Sequence, residues 1–124
     1  MQAHKTRTFA RWMKREGRND RDLHVALEEM QKGLVDARLG GGLVKKRIAR
    51  AGQGKSGGYR VIVATNFGER WVFMFGFAKS ERDNIDNDEL KLIKRLAATL
   101  LSLNEGDLRN AMTAGELQEI KHGK

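Results

Sequence analysis

Lys55, Arg60, Lys79 and Arg82 are the side chains of this sequence best suited to chemistry on an anion. They occupy two short segments, GKSGGYR (54–60) and GFAKSER (76–82), each continuous with a hydrophobic run. Arg60 lies inside the apolar run Tyr59–Thr65, on the face that two-residue alternation gives to Ile62 and Ala64. A guanidinium is costly to bury there without a partner. Lys79 and Arg82 directly follow the aromatic run Arg70–Ala78. With Asn66–Glu69 as a turn, the two runs form an antiparallel hairpin, and the end of the second returns beside the start of the first. Arg60, Lys79 and Arg82 then meet at one end of a sheet, with Lys55 above them and Lys45, Lys46 and Arg50 on the neighbouring strand. Converging cations suit phosphates, and Tyr59 offers a ring to a base, so the surface is RNA-like. Tyr59 reads equally well as a packed strand residue.

RNA can be cut without a metal when its own 2′-OH attacks the adjacent phosphate. The protein must align the attack, stabilise the charge that develops, and help protons move. A histidine pair is the usual acid–base solution, but His4, His24 and His122 lie outside the cluster. The acids are scattered and show no metal-ligand spacing, so neither a metal nor another cofactor is expected. A cationic site remains, in which one lysine could serve as base where crowded cations lower its pKa. A nucleotide-binding loop is excluded. Gly54-Lys55-Ser56 has the tail of GxxxxGK[ST], but alanine stands at position 49 and the loop leads into a strand instead of a helix.

The 124 residues suit one domain, spanning 1–124, with a core of its own. A net charge of +8 and a pI of about 10.1 favour a polyanionic partner. From Leu43 to Arg82 there are nine cations and two carboxylates, so the positive charge is concentrated in the middle of the chain. A second basic stretch, Lys5–Arg21, holds seven cations and reads as a solvated helix face or a docking surface. There is no cysteine, which suits a reducing compartment, and no run of membrane-spanning or signal-peptide length.

The elements that must position these residues follow from periodicity. Phe9, Trp12 and Met13 form the stripe of a short helix ending at Gly17. Asn19 or Asp20 caps a second helix whose buried face is Leu23, Ala26, Leu27, Met30 and Leu34. Gly40–Gly42 breaks the chain, and Leu43–Ala49 reads as a short basic strand. Tyr59–Thr65 and Arg70–Ala78 are apolar on both faces and should be central. Asp86 caps a long helix with the stripe Leu90, Ile93, Ala97, Leu100 and Leu101. Asn104 caps another to Met112, and Glu116–Ile120 returns as an edge strand. Trp12, Trp71, Phe73, Phe75 and Phe77 read as core, and Arg47 and Arg70 as strand-end cations facing water.

GGGLVKKRIARAGQGKSGGYRVIVAT followed by RWVFMFGFAKSERDNID closely resembles the RelE/HigB branch of the RelE/ParE toxin superfamily, the toxin halves of bacterial type II toxin–antitoxin modules. The resemblance runs from the helical start to AGELQEI. It implies an α+β fold, with N-terminal helices on a central antiparallel sheet and a C-terminal helix. It also implies ribosome-dependent cleavage of messenger RNA in the cytoplasm and neutralisation by a small antitoxin. Arg60 matches the family's phosphate-binding arginine, which implies transition-state stabilisation; Lys79 and Arg82 match its second basic element. Lys55, Lys46 and Arg50 would position the backbone. The best-known members carry arginine where this chain has Ser80, and tyrosine where it has Ile85-Asp86. Two other readings stand beside this one: a ParE-like gyrase inhibitor, which would not need the cationic cluster, and a basic module that binds RNA or DNA without cutting it.

Overall fold

Four side chains start the helices by accepting backbone N–H groups that the first turn leaves unpaired. Thr6 accepts from Phe9 and opens α1 (Arg7–Arg15). Asn19, in a reciprocal capping box with Asp22, opens α2 (Asp20–Gln31). Asp86, boxed with Glu89, opens α3 (Asn87–Ser102), and Asn104 opens α4 (Glu105–Thr113). The structure, a computed structural model, describes residues 2–50, 54–78 and 85–120, without the side chains of residues 50 and 54–57.

The helices cover both faces of a six-stranded sheet: β1 (Gln2–Thr6), β2 (Ala37–Gly40), β3 (Leu43–Arg50), β4 (Gly54–Thr65), β5 (Arg70–Ala78) and β6 (Leu117–Glu119), in the order β2-β3-β4-β5-β1-β6. The β4–β5 hairpin sits near the middle, as its two apolar faces require. On one face Phe9, Trp12, Met13, Leu23, Ala26, Leu27 and Met30 pack on Val44, Val61, Val63, Trp71 and Phe73. On the other, Ala97, Leu100 and Leu108 pack on Leu43, Ile62, Ala64, Val72 and Met74. The α+β architecture with N-terminal helices on a mostly antiparallel sheet and helices at the C-terminus is the one the sequence implied. Among the described residues no helix is long and apolar enough to cross a membrane.

Several elements differ from the sequence reading. Two strands had no apolar signal: β1, which pairs parallel to β5 from Gln2↔Arg70 to Lys5↔Phe73, and the edge strand β2. β4 begins at Gly54 instead of Tyr59 and is longer than its apolar part. α2 stops at Gln31, Gly33 takes a left-handed φ of 87°, and Leu34 lies beyond the helix, exposed. Arg70 does not face water. It is buried, and its Nη1 donates to the carbonyls of Leu100 at 2.9 Å and Leu103 at 2.6 Å, closing the C-terminal end of α3. Beside it His4 is also buried, with no partner for Nδ1 among the described residues. Burial, aided by the charge of Arg70, outweighs Glu119 and Glu105 and holds its pKa below the ordinary value, so the imidazole is neutral.

Gly76 fixes how closely α1 approaches β5. A Cβ built there would stand 2.6 Å from the Trp12 ring. Gly76→Ala is therefore expected to displace Trp12 and cost ~1–3 kcal/mol, read as a lower midpoint in urea denaturation.

Candidate nucleic-acid interface

Alternation along β3 and β4 decides which cations share a face. Lys45 pairs with Ile62, Arg47 with Arg60, and Phe77 of β5 with Arg60 from the other side. Lys45, Arg47 and Arg60 therefore stand on the α3 face of the sheet. Directly opposed guanidiniums repel, and this pair is offset by Asp36, which accepts from the Arg47 backbone at 2.6 Å and from its Nε at 3.0 Å. Burial pushes the Asp36 carboxyl up, but the Arg47 N–H and guanidinium and the charge of Lys46 outweigh it and hold the pKa below the ordinary value. Asp36 gave no signal in the sequence, because it lies in the short link between α2 and β2.

Among the described residues no acidic side chain is paired with Arg60. Its residue is only 9% exposed, and Nη1 is buried with no hydrogen bond among the described residues. An unsatisfied guanidinium N–H inside a protein is costly. A guanidinium is a group whose chemistry suits an oxyanion.

The register separates the predicted site residues. Lys46 and Tyr59 are one residue out of phase with Arg60 and lie on the opposite face. Lys46 is 4% exposed, pairs with Glu29 Oε1 at 2.9 Å and donates to the Leu34 carbonyl at 2.9 Å, so it ties α2 to β3 instead of meeting a ligand. Tyr59 is buried. Its ring packs edge-on against Trp12 at 5.2 Å and carries the Arg18 guanidinium at 4.1 Å, which removes it as an exposed platform for a base. Lys45 is half-exposed on the Arg60 face. Arg50 and Lys55 are present as backbone of β3 and β4, with Arg50 opposite Gly54. Lys79 and Arg82 lie outside the described residues, following β5, whose last residue Ala78 pairs with Tyr59.

The described side chains on this face are thus Arg60, Lys45 and an Arg47 paired with Asp36, a set whose chemistry suits an anion. No curated protein matches the chain at a significant level. One family model does, described as the RelE toxin of the RelE/RelB toxin–antitoxin system, and it covers residues 1–120. With helices on both faces of a mostly antiparallel sheet and a match over nearly its whole length, the chain belongs to the RelE toxin family.

Proposed function

We propose that this RelE-family toxin is an endoribonuclease that cuts messenger RNA on the ribosome, with Arg60 stabilising the charge that develops on the phosphorane. The observation that carries the reading is the buried Nη1 of Arg60, a guanidinium donor with no acceptor among the described residues. In the reaction the 2′-oxygen forms a bond to phosphorus and the bond to the 5′-oxygen breaks. The 2′-OH proton passes to a base, and the leaving 5′-oxygen takes one up. Lys79, Arg82 and Lys55 are proposed to complete the cationic pocket, and Lys45 and Arg50 to hold the flanking backbone. Lys46 and Tyr59 are left out because their side chains are engaged on the other face. Without a histidine pair at the site, alignment of the substrate must come from elsewhere, which favours a ribosome-bound RNA over a free one. The partner that silences such a toxin is proposed to be a small antitoxin with an acidic surface, complementary to a chain of charge +8.

Transcriptome-wide mapping of RNA 5′ ends after induction tests the proposal. New ends phased with codons are expected. Intact messages together with loss of gyrase supercoiling would overturn it in favour of a gyrase inhibitor.

A further inference from the structure

A groove of about 360 Å³ opens between α1 and the C-terminal half of β5, lined by Thr8, Arg11, Trp12, Arg15, Phe75 and Phe77 among others. That volume falls within the roughly 300–1,000 Å³ of ligand-sized sites. Three features fit it to one chemistry. Arg11 and Arg15 are exposed, one helical turn apart, and make no side-chain ion pair or hydrogen bond among the described residues. α1 has no acid in its first turn to compete for them. Residues four apart on a helix lie neighbour to neighbour, so the two guanidiniums can address one backbone. Phe75 supplies a half-buried ring, 6.1 Å from that of Phe77. Finally, Phe77 lines the groove and is the cross-strand partner of Arg60, so the groove lies one strand away from that arginine. A larger groove of about 800 Å³ between α1, α3 and α4 has no aromatic ring among its lining residues.

We infer that this groove holds one nucleotide of the RNA strand adjoining the phosphate at Arg60, its base on Phe75 and its backbone phosphates on Arg11 and Arg15. The inference rests on the proposal that the chain acts on RNA. The basic stretch of α1, read from sequence as a solvated face or docking surface, becomes part of the substrate path. Guanidinium and ring contacts of this kind grip single strands without reading sequence.

The test is fluorescence anisotropy of a labelled single-stranded RNA against the full chain over a series of salt concentrations. Arg11→Gln with Arg15→Gln should weaken binding about tenfold and flatten the log–log salt slope by roughly 1.4, at about 0.7 per phosphate contact. Arg11→Lys with Arg15→Lys should keep the slope. Phe75→Leu should weaken binding about tenfold with the slope unchanged, and Phe75→Tyr, which keeps the ring, should bind as wild type. If the double glutamine variant retains wild-type affinity and slope while Arg60→Met loses slope, the groove is overturned and the RNA reading stands. If the wild-type chain shows no salt-dependent binding at all, both fall.

Discussion

Arg60→Met is expected to lose growth inhibition and RNA cleavage by about 10²–10³-fold while unfolding at or above the wild-type temperature. The first magnitude is that of removing one preorganised donor from a developing oxyanion. The second follows from Arg60 being buried opposite Arg47 with its Nη1 unpaired among the described residues, a net cost to the folded state. Methionine keeps most of the volume, removes the unsatisfied donor and relieves the repulsion, and exchanges of this kind are neutral or stabilising. Opposite signs for activity and stability distinguish a functional arginine from a structural one. A thermal melt and a growth assay on the same variant provide the comparison, and a variant that melts low or still arrests growth would place Arg60 in the scaffold.

Arg70→Met is expected to behave in the reverse way, losing ~2–4 kcal/mol of stability. For a chain of this size that is a fall in melting temperature of very roughly 8–16 °C. Arg70 is as buried as Arg60, but its guanidinium is partnered: Nη1 donates to Leu100 and Leu103 and Nε to Gln2, which in turn donates to Glu105. Truncation strands the carbonyls at the end of α3 and removes the side-chain bond from β5 to Gln2 of β1. Calorimetry on the purified variant checks the value. The surviving folded fraction should cleave normally, because Arg70 lies at the far end of β5 from Phe77 and Arg60.

These two arginines show what could and could not be read from the residue order. Both sit at the edge of an apolar run, and alternation correctly assigned Arg60 to a buried face. No local pattern could tell that α3 would end against Arg70, since that contact joins residues 30 or more positions apart. The helices were legible because each carries its own cap and stripe: Asn19, Asp86 and Asn104 lie where the caps should be. β1 was not, because QAHKT has no apolar alternation. It is a strand because β5 and β6 bracket it, and tertiary pairing overrides so weak a propensity. The same limit applied inside the site. Lys45 and Lys46 are neighbours of identical charge, and only the register, one residue either way, separates the Arg60 face from the bridge to Glu29. Tyr59 was ambiguous for want of knowledge of Trp12, which approaches it from a helix 47 positions earlier in the numbering.

The account turns on the attack of a 2′-oxygen at a phosphate held by Arg60, and the chemistry of the cut ends reports it most directly. Messenger RNA bound to programmed ribosomes, incubated with the wild-type chain, should yield an upstream fragment ending in a 2′,3′-cyclic phosphate and a downstream fragment beginning with a 5′-hydroxyl. Arg60→Met should leave the RNA whole. A 3′-hydroxyl on the upstream fragment, or equal cutting by the variant, would contradict the mechanism.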